Sequence, residues 1–358
     1  MATTLTNDLL AFYFTSQLPD LQWSTDLEAL TVSLHCPAGD VGRILEVTLT
    51  AVGGTVSLLE VRDAVERRMR HLNKSYIPLL VQWKEPGSNA YTSSSTLAVY
   101  YCNKNVGESC STWIENHFLT TLKSKPLPAS GATEYLSFYA PRMMVVTPTA
   151  TAVCRLSDGE VRSIQVSVFG GVSVSSSIKG VLSWTVADVL EAAQDVDEDA
   201  EEVLAFTIQA GNRVMTYYKP AVKPTAAFAF LNCFNVTEIA WLNCVTTKKT
   251  KDARKVAHVG HRATVYDLDL QVTHEVETCP LPLAVANWLD QLVTSPLAWL
   301  GDGTAIVITE GDASISDDYA VMNSVKFTWQ RDDARDLNNI DETDINIFIR
   351  PPYSYQFD

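Results

Sequence analysis

Two imidazoles stand three residues apart in His258-Val259-Gly260-His261, a spacing that can hold a metal ion if Cys244, His274 or Cys279 completes the set. It matches no common zinc module. Lys248, Lys249, Lys251, Arg254, Lys255 and Arg262 crowd the same stretch and would repel a cation. These six residues instead favour electrostatic contact. With Asp252 as the one acid among them, segment 248–262 is a candidate contact for phosphate, an acidic protein partner or the acidic part of another copy. No aromatic side chain lies within it to stack on a base. The alternative is a basic loop or hairpin with a solvated face.

The acidic run from Asp188 to Glu202 invites a calcium reading through Asp195, Asp197, Asp199 and Glu201. An EF-hand loop needs glycine at its sixth position and glutamate at its twelfth. Counted from Asp195 these are Ala200 and Phe206, so the loop fails. Aspartate-rich segments at 312–318 and 332–344 lie beside turn signals and read as loops rather than as paired catalytic carboxylates. Metalloprotease, nucleophile-elbow, phosphate-loop and dinucleotide-binding motifs are all absent. The seven cysteines are odd in number and show no C-x-x-C pair, which predicts free, mostly buried thiols. No catalytic residue, cofactor or metal ligand is therefore predicted.

The chain has 358 residues, too many for one ordinary core, and 46% of them are hydrophobic against 19% charged, a globular composition. A net charge of −15 repels phosphate backbones and argues against sequence-specific nucleic-acid binding. Asn7 and Asp8 interrupt the N-terminal apolar stretch, so no secretory signal is predicted. No apolar run reaches the length of a membrane span.

The elements that must position any site follow one order three times. Arg43–Val52 alternates as a strand, Gly53-Gly54 breaks it, and Ser57 to Glu60 has capping-box form. Leu58, Val61, Val65, Met69 and Leu72 then stripe a helix, followed by strands at 77–83 and 96–103. Val161–Phe169 opens the second pass and Thr185 with Asp188 caps its helix. Val186, Val189, Leu190 and Ala193 form that helix's stripe. Strands at 203–209 and 213–218 bracket Gly211-Asn212, and a last strand spans 226–232. The third pass has strands within 263–277, a helix opened by Pro280 and Pro282, and strands at 304–309 and 324–330. Leu281, Val285, Trp288, Leu289 and Leu292 give its stripe. The eight tryptophans read mainly as core, with a sugar-binding platform as the alternative.

The predicted fold is mainly β with a few helices (α+β): tandem β-sandwich or barrel modules, each with one flanking helix. Residues 1–107 form the first, 108–150 a connector or insert, 151–237 the second, and 238–358 an irregular third. Such units expose sheet edges or faces that neighbours must cover.

Phe230-Leu231-Asn232-Cys233-Phe234, His274-Glu275-Val276-Glu277-Thr278, Trp288 to Ser295, Ile315-Ser316-Asp317-Asp318 and Val325 to Trp329 resemble uncharacterised proteins encoded by phages and prophages of gut Bacteroidetes. His117-Phe118-Leu119-Thr120 and Glu134 to Tyr139 fit the same pattern. The resemblance implies a non-enzymatic virion component, of the tail or baseplate, built from tail-tube or hub-like modules. It implies other copies of the chain and neighbouring tail proteins as partners, and synthesis in the host cytoplasm. A carbohydrate- or cell-surface-binding module is the alternative expectation.

Overall fold

Alternating apolar residues and glycine turns build the first sheet. The computed structural model describes residues 3–37, 41–259, 262–318 and 322–332, and over 252–254, 257–259, 262–270 and 314 the backbone alone. The first unit comprises β1 (Thr4–Leu5), β2 (Phe12–Phe14), β3 (Leu21–Ser24), β4 (Ala29–His35), β5 (Arg43–Thr50), β6 (Thr55–Leu58), α1 (Val61–His71), β7 (Tyr76–Lys84), β8 (Thr92–Ser93) and β9 (Leu97–Tyr100). Its main sheet has the order β5-β4-β7-β9-β2, with β2 parallel to β9 and the other pairs antiparallel. A small sheet, β1-β3-β6, accompanies it. Gly53 and Gly54 form the two-residue turn between β5 and β6 with φ of 59° and 77°, a conformation that favours glycine at both positions.

The predicted helix stripe is buried at Val61, Val65 and Met69. The predicted capping box is not formed. Ser57 pairs with Gln22 in the β3–β6 ladder, and Leu58 is a buried strand residue. The chain turns at Glu60, which stands at φ 58° before the helix starts at Val61. Strand pairing to β3 takes the residues that the local motif would have used.

The second unit comprises α2 (Cys110–Asn116), β10 (Ser124–Pro126), β11 (Glu134–Phe138), β12 (Met144–Val146), β13 (Thr149–Leu156), β14 (Val161–Val166), β15 (Val172–Val174), β16 (Gly180–Trp184), α3 (Val186–Gln194), β17 (Ala200–Ala210) and β18 (Arg213–Tyr218). Its sheet runs β14-β13-β17-β18-β10, and β10 is parallel to β18. Thr185 and Asp188 form the reciprocal capping box of α3. Gly211, at φ 64°, makes the β17–β18 turn. Residues 108–150 are therefore not a connector: β10 extends the second sheet, and β11 and β12 pair with β16 and β15.

The third unit comprises β19 (Ala226–Leu231), β20 (Thr237–Leu242), β21 (Cys244–Val259), β22 (Arg262–Thr278), α4 (Leu283–Val293), β23 (Ala298–Leu300), β24 (Ala305–Ser314) and β25 (Ser324–Arg331). They form one seven-stranded sheet, β20-β19-β23-β24-β25-β22-β21. Its two outermost strands, β20 and β21, are separated in the chain by Asn243 alone. The sheet must therefore curl until its ends meet, and Thr225 ties them by accepting from the Cys244 amide and donating to the Cys244 carbonyl. The strand at 226–232, expected in the second module, belongs here because it pairs with β20 and β23. A boundary at 237/238 would cut that hairpin. Pro282 is the N-cap of α4, so both prolines precede the helix rather than lying in its first turn.

One antiparallel order recurs in all three units. Two strands form a hairpin, a helix follows, and two more strands complete the order second-first-third-fourth: β5-β4-β7-β9, β14-β13-β17-β18 and β20-β19-β23-β24. The third unit looks irregular because the β21–β22 hairpin is inserted between its first hairpin and its helix. The fold is thus mainly β, α+β, in β-sandwich-like modules. The modules also share a core. Phe14, Tyr100 and Cys102 from the first, Cys110, Ile114, Leu119 and Tyr139 around α2 and β11, and Cys233, Phe234 and Val236 from the third form one buried cluster. In this cluster each unit's apolar side chains are covered by those of its sister units.

Candidate functional site: a projecting arm and a buried joint

The basic residues singled out by the sequence lie on the inserted hairpin. Sixteen residues of β21 run antiparallel to seventeen of β22. Only His274 to Glu277 of β22 pair with β25; beyond them the two long strands pair with each other alone among the described residues. At about 3.4 Å per residue, the stretch from Lys248 to Val259 projects roughly 35 Å. Lys248, Lys249, Lys251 and Lys255 are exposed. Strand alternation puts Lys249, Lys251 and Lys255 on one face and Lys248 and Arg254 at positions of the other. Arg262 starts the return strand, opposite Val259. The six residues are thus spread along an arm and over two faces.

The arm's stem is held firmly. The Lys249 ammonium pairs with Glu275, and Lys326 Nζ meets Glu277 Oε1 at 2.9 Å. His274 stacks on Trp329 with ring centroids 4.1 Å apart and planes 7° from parallel. His258 cannot join Cys244 or His274 around one ion, because it pairs with Ala263 near the tip while Cys244 pairs with Thr278 at the base. His261 lies outside the described residues.

The acidic run is answered by local cations. Asp197 Oδ2 lies 2.5 Å from Arg162 Nη1, and Glu202 pairs with Lys219 and, at 3.2 Å, with Arg155. Hydrogen bonding to Lys219 holds the Glu202 carboxyl below the usual range. Asp317 and Asp318 are exposed, and the residues from 333 onward lie outside the described ones. Among the described residues, no three His, Cys, Asp or Glu side chains are placed to hold a metal ion. None of the eight tryptophans is exposed: Trp113 and Trp299 are half-buried and the rest are buried.

Sequence reading missed a buried charge cluster between the second and third units. Lys125 Nζ, on β10, lies 2.8 Å from Glu134 Oε1 on β11 and 3.3 Å from Glu238 Oε1 on β20. Thr120 Oγ1 donates to Glu238 at 2.6 Å and Asn232 Nδ2 at 2.9 Å. Trp241 Nε1 donates to Glu134 Oε2 at 2.9 Å. Lys125, Glu134 and Glu238 are all buried, with Lys125 Nζ 5.3 Å from the centre of a Trp288 ring. Burial pushes the Glu134 carboxyl up, against the pull of Lys125 and Trp241. Burial works against the Lys125 ammonium, yet its two carboxylates outweigh this and raise its pKa. The readable signal was Glu238 alone in the apolar run Val236–Leu242, since a carboxylate on a buried strand requires donors. The cluster joins sheets, and its three charged side chains are buried. A small cleft does lie nearby, between the first and third units, lined by Arg70, Asn103, Lys104, Asn232, Cys233 and Gln291 among others.

No protein-family model and no curated protein matches the chain. Among solved structures it aligns with the full extracellular region of plexin A4 at 8% identity and TM-score 0.21, over 92% of this chain and 40% of that one. Two forms of Salmonella alpha-2-macroglobulin, a point mutant and the methylamine-reacted protein, align at 10% and 11% identity, each with TM-score 0.21, over 87% of this chain and 24% of theirs. The chain thus spans well under half the length of these proteins, and likeness at this level indicates neither a shared fold nor a function.

Proposed function

We propose that this chain is a non-enzymatic structural component of a phage or phage-like virion, acting in the tail or baseplate as a ring or hub protein. Its partners on this reading are other copies of itself and neighbouring tail or baseplate proteins. The observation that carries it is the arm: a long charged hairpin that leaves the body at one stem and, past Lys249 and Thr273, pairs with no strand outside itself among the described residues. A β-ribbon with two open edges is suited to adding strands to, or lying across, a neighbouring molecule. Exposed Met143 and, in β12, Val145 add a small apolar patch on the second unit. Two unlike contact regions on one molecule permit head-to-tail closure into a ring. The resemblance of 274–278 and 325–329 to phage-encoded proteins points the same way.

Negative-stain microscopy and sedimentation of the purified chain test this. Rings or closed oligomers are expected, and replacing residues 250–272 by Asn-Gly is expected to leave folded monomers. A wild-type chain that stays monomeric across a wide concentration range overturns the reading.

A further inference from the structure

We infer that Cys102 and Cys233 are a latent cross-link, a dithiol that closes to a disulfide between the first and third units when a peroxide reaches it. Cys102 follows β9 and Cys233 lies in the turn between β19 and β20. The Asn103 amide donates to the Cys233 carbonyl at 3.2 Å, so the two backbones are already in register at this point. Both side chains belong to one buried cluster, and Cys102 Sγ lies 3.2 Å from the Lys104 carbonyl oxygen. That backbone bond holds the two α-carbons near the span a disulfide bridges, so closure calls for side-chain rotation, not rearrangement of the chain.

Access and chemistry agree with this. Both thiols are buried, yet Cys233 lines the small cleft whose wall includes Tyr101 and Asn103, the two neighbours of Cys102. That opening has room for about one water-sized molecule, and hydrogen peroxide is little larger. The neighbouring Cys233 thiol holds the pKa of the Cys102 thiol below that of an ordinary cysteine, which favours Cys102 as the attacking sulfur.

The steps balance. Cys102 sulfur attacks one peroxide oxygen; an S–O bond forms, the O–O bond breaks, and the departing hydroxide takes the thiol proton as water. Cys233 sulfur then attacks the sulfenic sulfur; the S–S bond forms, the S–O bond breaks, and a second water leaves with the Cys233 proton. Two thiols are oxidised by two electrons and one peroxide becomes two waters. In a reducing compartment the pair stays open, and outside one it closes.

The test treats the folded full-length chain with hydrogen peroxide, quenches it by alkylation, unfolds it, counts thiols and maps peptides. The expected count falls from the seven of the untreated chain by two, with a single intramolecular link between the peptides holding Cys102 and Cys233. The unfolding midpoint is expected to rise by roughly 5 °C, since the link closes a long loop, and a thiol reductant should reverse this. Cys110→Ser must keep the link and Cys233→Ser must lose it, so a misfolded Cys102→Ser variant would not block the test. An unchanged thiol count, a link from Cys102 to Cys110, or links only between molecules would overturn the inference.

Discussion

Lys125 and Glu238 stand on different sheets and meet at 3.3 Å with neither side chain reaching solvent. The contact makes the second and third units electrostatically dependent on each other. Breaking a buried pair by removing one partner costs about 3–5 kcal/mol, because the other charge stays buried without compensation. Here Lys125→Met leaves two carboxylates facing each other. It should lower stability to chemical denaturation by about that amount. The triple variant Lys125→Met, Glu134→Gln, Glu238→Gln should recover most of the loss. Equal losses in both would mean that charge is not what holds the joint.

The same cluster predicts a pH dependence. The Glu134 carboxyl is raised above its ordinary value of 4.5, so the folded chain holds this proton more tightly than the unfolded chain. Its contribution is complete below the ordinary value and is lost as pH rises through the raised folded value. Unfolding free energy measured from pH 4 upward should carry this downward component. Glu134→Gln should flatten it without altering the profile at lower pH.

Gly180 lies opposite Phe138 in the β11–β16 ladder. A β-carbon there would sit 2.7 Å from the Phe138 ring and press on Val174 as well. Both neighbours are fully buried and have little room to move. Gly180→Ala should therefore cost about 1–3 kcal/mol, read as a shift in denaturation midpoint at unchanged slope.

Thr185→Ala removes the hydroxyl that accepts from the Asp188 amide, and should cost about 1 kcal/mol. Asp188→Ala removes the reciprocal acceptor of the Thr185 amide. Because the two bonds form one box, the double variant should lose less than the sum of the singles in a double-mutant cycle. Additive losses would show that the two ends act independently.

The helices were legible because their stripes have helical period: Val61, Val65 and Met69, then Val189 and Ala193, then Trp288, Leu289 and Leu292 are buried as the spacing predicts. Two opening strands were not. β4 is buried at five successive positions, Leu30 to Leu34, so it has no in-out alternation to detect. β13 does alternate, but with Ala, Thr and Cys, whose contrast is too low to mark a face. Missing these two strands hid the hairpin that opens each unit, and the strand at 226–232 was then placed in the wrong one. The charge cluster was hidden for another reason: Lys125 and Glu238 are far apart in the chain, and no local pattern encodes their meeting. The basic arm was visible as composition, but its length and two-faced layout depend on a register that only pairing with β22 reveals.

The inserted hairpin also makes this fold modular in a practical sense. The Cys279 amide donates to the Asn243 carbonyl at 2.9 Å, so the chain leaves and re-enters the body at a single clasp. Everything distal to Lys248 and His274 is a cassette. A foreign ribbon of any length, or an epitope carried on one, could be spliced there and inherit a rigid socket while the three cores remain unaltered.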